Sequence, residues 1–170
     1  TDMALIKLNN QSLSAVTSAG LPSGSVLQVV QFFDVGVNGA AKSPLASLTN
    51  ADGYTDIMSK AIITEAANSK ILVQIKTVGY DAANSTVRGA TKTFRDSTLI
   101  DGDSYSFYED TNVMVLFNST ILDAPAAAAG TTITYKLQAA QGHASGALVV
   151  GYGDSGGGGS SQITLTEIAG

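Results

Sequence analysis

The sequence predicts an all-β fold: an antiparallel, jelly-roll-like β-sandwich preceded by a short extended N-terminal arm. Three observations carry that expectation. Eighteen glycines stand among many Thr, Ser, Val and Ala residues, and only 14% of the residues are charged. Short apolar or alternating runs of strand length recur between clusters of turn residues. No stretch has the length and periodicity of an ordinary helix. The runs amount to about eight strands, which two four-stranded sheets accommodate.

The elements follow in chain order. Residues 3–8 (MALIKL) are apolar enough for a short strand. Residues 9–24 (NNQSLSAVTSAGLPSG) read as an extended arm with little core of its own. The division is therefore an arm or attachment segment over 1–24 and a sandwich over 25–170. SVLQVVQFF (25–33) is a strand with apolar groups on both faces, buried on both sides or placed in an interface. YTDIMSKAII (54–63) is ambiguous at its length. KILVQIKTV (70–78) is clearer, with Ile71, Val73 and Ile75 on one face and Gln74 and Lys76 on the other.

STVRGATKTF (85–94) is a weaker, mostly polar strand candidate, and LIDGDSYSFYED (99–110) reads as a loop with turn residues and three aromatics. NVMVLFNSTIL (112–122) is a nearly continuous apolar run. The alanines between Pro125 and Gly130 are too few to nucleate a helix. TTITYKLQA (131–139) alternates most cleanly: Ile133, Tyr135, Leu137 and Ala139 point one way, and Thr132, Thr134, Lys136 and Gln138 the other. GALVVGY (146–152) and SQITLTEI (161–168) supply the last two strands, joined by a glycine-rich loop. No internal repeat is visible.

Composition limits the partners. A chain of 170 residues suggests one domain. The net charge is −5, and the nine basic residues are scattered, so nucleic acid is a poor partner. Without cysteine there is no disulfide framework and no thiolate chemistry. No apolar run approaches the roughly 18 residues of a membrane helix, so no membrane partner is expected. The opening Thr1-Asp2-Met3 lacks the basic-then-apolar pattern of a secretory signal.

One string invites a catalytic reading. Gly153-Asp154-Ser155-Gly156-Gly157 spells the surroundings of the nucleophilic serine in trypsin-like proteases. Such a serine needs a general base in hydrogen-bond reach and a buried Asp to orient that base. The lone histidine, His143, lies 12 residues earlier across a strand, and the only Asp between them is the adjacent Asp154. The segment reads instead as a glycine-rich hairpin loop.

The acidic run from Asp101 to Asp110 holds Asp101, Asp103, Glu109 and Asp110. Asp101-Gly102-Asp103 resembles part of a calcium loop, but the EF-hand glycine and terminal glutamate are missing; a solvated turn is the simpler reading. Nothing selects a carboxylate pair for glycoside hydrolysis. Tyr105, Phe107 and Tyr108 form either a sugar-stacking platform or packing at an edge or interface. A lone histidine is not a metal site. No catalytic, cofactor-binding or metal-binding residues are assigned.

Four segments, taken in order, resemble the small structural proteins of tailed phages, particularly marine and cyanobacterial ones. NNQSLSAVTS with LPSGSVLQVVQF is similar to their opening, and ANSKILVQI (67–75) to their next recurring segment. ILDAPAAAAGTTITYKLQ (121–138) resembles a passage of leucine-aspartate-x-proline, a loop, and a threonine-bearing strand with tyrosine-lysine. SQITLTEIAG (161–170) resembles a closing strand that ends in glutamate-isoleucine. Residues 79–112 resemble nothing in that group, and Gly156–Gly159 is richer in glycine than the group suggests.

The resemblance implies a non-enzymatic protein on the virion exterior: a fibre, a fibre tip or a capsid decoration protein, usually a trimer of β-sandwiches. A single domain with a 24-residue arm and no shaft suits a decoration or cement protein. It would contact the major capsid protein or other virion proteins through Met3, Leu5, Ile6, Leu8, Leu13 and Val16, adding a strand to a neighbour's sheet edge. Val26 to Phe33 offers apolar surface for the homotrimer. The rival role is a fibre tip that binds a host surface glycan through Tyr105, Phe107 and Tyr108.

Overall fold

The computed structural model describes residues 20–34, 45–49, 51–81, 87–109, 114–142, 146–151 and 160–170, with the side chains of 80, 81, 87, 103–109 and 114 left aside. Ten strands are described: β1 (Val26–Asp34), β2 (Ala46–Leu48), β3 (Thr55–Ile63), β4 (Lys70–Asp81), β5 (Val87–Arg95), β6 (Thr98–Glu109), β7 (Met114–Asp123), β8 (Thr132–Gln141), β9 (Leu148–Val150) and β10 (Ser161–Ile168). One sheet runs β1-β10-β4-β9-β2, with β7 on the other side of β4; the second runs β3-β8-β5-β6.

Setting aside the three-residue strands β2 and β9 leaves eight long strands in two antiparallel sheets, β1-β10-β4-β7 and β3-β8-β5-β6. The chain changes sheet at every connection between long strands except β5 to β6. That alternation is jelly-roll topology. The expected two four-stranded sheets are thus present, with the first extended by β9 and β2.

The core lies between the sheets, and period two explains its membership. Ile71, Val73 and Ile75 of β4 and Ile163 and Leu165 of β10 face Ile62 of β3 and Ile133, Tyr135 and Leu137 of β8, all buried. From β1, Val30 and Phe32 pack inward, while Val29 and Phe33 stay exposed at 57% and 51%. The two-faced apolar strand therefore has one face in the core and the other open.

Two expectations are corrected and one ambiguity is resolved. Residues 99–110 are not a loop: 98–109 form β6, paired along β5. Three register shifts interrupt that pairing, and Gly102 takes a φ of +105° where a Cβ would run into the backbone of Thr91. The turn residues mark bulges within a strand. The ambiguous 54–63 is β3, where a bulge between Asp56 and Met58 buries Ile57 and Met58 in succession and breaks the alternation. The strand expected over 146–152 is regular only at 148–150.

Candidate interaction surface

Two buried polar clusters sit at the end of the sandwich where the chain enters β1. The first is built on Glu167, which occupies the inward position after Ile163 and Leu165 on β10 and is fully buried. Its carboxylate accepts hydrogen bonds from Gln28 Nε2 at 2.6 Å, Ser69 Oγ at 2.7 Å, Glu65 N at 2.9 and 3.0 Å, and Ala66 N at 3.2 Å. Burial works against the charge, yet the bonds from Gln28, Glu65, Ser69 and Ala66 outweigh it and hold the carboxyl below its ordinary range. Glu167 thereby ties the β3–β4 turn to β1 and β10.

The second cluster joins the sheets. Asp123 ends β7, and Arg95 Nη1 donates to its two oxygens at 2.8 and 3.0 Å while Tyr135 Oη donates at 2.7 Å. Burial, followed by the Asp123 hydrogen bond and charge, pushes the Tyr135 phenol well above its usual range. Tyr135 is fully buried, so its hydroxyl is out of reach of a substrate.

Thr64 completes this end. Its hydroxyl donates to Ala128 O at 2.6 Å and accepts from Thr131 N at 3.1 Å, and Asn68 N reaches Ala127 O at 2.9 Å. The turns after β3 and β7 are bound to one another. The backbone just before β1 joins them: Gly24 N donates to Ala169 O at 2.9 Å and Ala169 N to Ser25 O at 2.8 Å.

One small pocket lies among the described residues. An apolar pocket between the sheets, bordered by Thr77, Ala90, Phe117, Ala139, Leu148 and Val150, has a volume of about 10 Å³. That is room for about one water, far below the roughly 300 Å³ at which ligand sites begin. Among the described residues no three His, Cys, Asp or Glu side chains group to hold a metal ion, and no helix is long and apolar enough to cross a membrane.

The two outer faces differ in kind. On the β1-β10-β4-β7 sheet, cross-strand register sets the outward residues in rows: Val29, Thr166, Leu72 and Leu122; then Gln31, Thr164, Gln74 and Thr120; then Phe33, Gln162, Lys76 and Asn118. Gln31 Nε2 donates to Thr164 Oγ1 at 3.0 Å along the middle row. Val29, Phe33, Leu116 and Leu122 are each more than half exposed. The face carries Lys70 and Lys76 and, among the described residues, no carboxylate.

The outer face of the β3-β8-β5-β6 sheet is instead laced with charge. Lys136 Nζ lies 3.2 Å from Asp56, and Gln138 Nε2 donates to Asp56 at 2.7 Å. That amide bond, aided by Lys136 against slight burial, lowers the Asp56 pKa. Lys92 Nζ stands 4.0 Å from the centre of the Tyr54 ring.

The residues singled out from the sequence distribute unevenly. Met3, Leu5, Ile6, Leu8, Leu13 and Val16 lie outside the described residues, as do His143, Asp154 and Ser155. Tyr105, Phe107 and Tyr108 belong to β6, opposite Ala90, Gly89 and Arg88; they are strand residues, and their side chains are outside the description. Asp101, also in β6, accepts a hydrogen bond from Ser119 Oγ at 2.7 Å. Sequence reasoning missed Glu167, Asp123 and Thr64. Their signal was parity: each occupies the inward position two residues beyond a buried or core-packed Leu165, Ile121 or Ile62.

No protein-family model matches the chain, and no curated protein matches it in sequence. Among solved structures, that of the infectious bursal disease virus Gx strain is similar over 88% of this chain at 10% identity and a TM-score of 0.43. The T13 viral particle of the same virus aligns over 85% at 12% identity and a TM-score of 0.43, and the Gt strain over 88% at 13% and 0.40. This chain spans about a third of those chains, 32% to 37% of their length.

Proposed function

We propose that the chain is a non-enzymatic structural protein of a tailed-phage virion, a capsid decoration or cement protein on the exterior, attached through residues 1–24 and assembled as a homotrimer. The observation that carries this reading is the ordered set of four segments that resemble small phage structural proteins. In the fold those segments have coherent physical roles. LPSGSVLQVVQF enters the sandwich as β1, ANSKILVQI is the Glu167-bound turn and β4, and ILDAPAAAAGTTITYKLQ carries Asp123 and Tyr135. SQITLTEIAG is β10 with Glu167. Jelly rolls serve viral capsids but also lectins and cupins, so the fold leaves the role to the segments.

Two buried carboxylates have structural uses, which supports the non-enzymatic reading. Glu167 and Asp123 are engaged by donors that lock turns and sheets together. Attachment through the arm is supported by the entry point: residues 24 and 25 bond to Ala169 at the sheet's edge, from which a preceding segment can extend to a neighbour.

Deletion of residues 1–20 tests the attachment. The truncated protein is expected to keep a cooperative β-rich fold and to lose co-sedimentation with phage heads. Retained decoration would sink the arm's role. The second reading, a fibre tip binding host polysaccharide, rests on Tyr105, Phe107 and Tyr108. Reproducible binding on a glycan array that weakens in Tyr105→Ala or Tyr108→Ala would favour it over the first.

A further inference from the structure

We propose that the outer face of the β1-β10-β4-β7 sheet is where each copy of the chain contacts the next, head to tail, against an acidic part of the neighbour's surface. The inference rests on the homotrimer reading and names the surface that builds it.

The first support is the position of exposed apolar side chains. Val26, Val29 and Phe33 on β1 and Leu116 and Leu122 on β7 are 51% to 58% exposed, and all five lie on the two border strands of this sheet. Border strands with open backbone and apolar side chains invite aggregation unless charge or a partner covers them. Charge does not cover these: the outward positions of β1 and β7 carry none.

The second support is charge. The whole chain is −5, and among the described residues this face holds two lysines and no carboxylate, so the acidic excess lies elsewhere in the chain. Face against face would set Lys70 and Lys76 against their own copies. Face against the remainder of a neighbour sets them against the acidic majority. Complementary fields favour the second arrangement, which is heterologous and closes into a ring when the rotation permits.

The third support is size. Four strands at about 4.8 Å spacing, by ten residues at about 3.3 Å rise, give a footprint of roughly 600 Å² per partner. Two such areas exceed the roughly 1,000 Å² that a specific interface requires. The mixture of exposed apolar groups with Gln and Thr is also what an interface needs when its subunits fold before they meet.

The test is sedimentation of the full-length protein at about 10 μM in low and high salt, with circular dichroism to verify folding. Wild type is expected to be a trimer. Leu122→Asp should weaken assembly at least tenfold. Gln74→Glu, nearly isosteric on an exposed site and so harmless to folding, should weaken it by a smaller factor that shrinks in high salt. Ile63→Asp, at a 58% exposed position on the other sheet, should leave the trimer intact. Trimers that persist in both face variants, or dissociate only in Ile63→Asp, would overturn the assignment. A wild-type dimer would overturn the head-to-tail contact. A wild-type monomer would remove the trimer reading itself, whereas failure to bind phage heads would count against the virion role and leave this result standing.

Discussion

Replacing Glu167 by Gln isolates what a buried carboxylate does for this sandwich. The carboxylate offers two oxygens to four donor groups. Glutamine keeps one oxygen and turns an NH₂ toward either the Gln28 amide or the turn at Glu65–Ser69. One buried donor then loses its acceptor, at about 1–3 kcal/mol, and the surviving bonds fall from charge-assisted to neutral strength. The expected loss is about 3 kcal/mol, a large fraction of the roughly 5–15 kcal/mol of a typical domain. Urea unfolding at pH 7, at fixed protein concentration, measures it as a lower midpoint with unchanged slope. The loss should also depend on pH. A carboxyl whose folded pKa lies below its unfolded value of about 4.3 contributes stability above that value and loses it as pH falls through the folded pKa. The gap between wild type and Glu167→Gln should therefore be full at pH 7 and narrow progressively below about pH 4.3. A gap below about 0.5 kcal/mol, within the range of an ordinary surface substitution, or one that stays constant into acid, would refute the reasoning.

Three further substitutions test other parts of the fold. Tyr135→Phe removes one hydrogen bond to a charged acceptor while keeping the ring in the core, and should cost about 2 kcal/mol. Asp123→Asn strands Arg95 as well and should cost more, about 3 kcal/mol or above; a double mutant that costs no more than Asp123→Asn alone would verify that the two act as one cluster. Gly102→Ala places a Cβ against the Thr91 backbone at a φ of +105° and should cost at least about 1–3 kcal/mol of strain, read as a lower Tm. An unchanged Tm would mean that the β5–β6 bulge is not fixed as described.

The parts legible in the sequence are those where period two survives. In β4 and β10, and in β8 as far as Ala139, the alternation of buried and outward residues holds among the described residues, so one face could be assigned to the core before any partner strand was known. The strands that resisted reading are those in which a bulge breaks the period. Ile57 and Met58 are both inward in β3, and Gly102 sits at an irregularity of β6. A bulge uses the same Gly and Asp residues as a turn, so the 99–110 segment spelled a loop although residues 98–109 form a twelve-residue strand. The strands β2 and β9 are three residues each and owe their pairing to β4 and to one another; nothing local announces them. Of the candidate surface, the outward set of each strand could be read, but the rows that unite β1, β10, β4 and β7 required the register.

The positions of Asp123, Tyr135 and Glu167 change what the resemblance to phage structural proteins can carry. These are polar residues of the recurring segments, and the sandwich uses all three internally: Glu167 to hold the β3–β4 turn, Asp123 and Tyr135 to pin one sheet to the other. A buried charge stripped of its partners is costly, so such residues tie a chain to this fold whatever it binds. The segments therefore speak for the architecture first. What distinguishes one role from another has to lie on surfaces that the fold leaves unconstrained. In this chain the outer face of the β1-β10-β4-β7 sheet, with two lysines and no described carboxylate, is such a surface. Its exposed Val29, Phe33, Leu116 and Leu122 add nothing to the core, and stability alone gives no reason for apolar groups at those positions. A contact with another protein does.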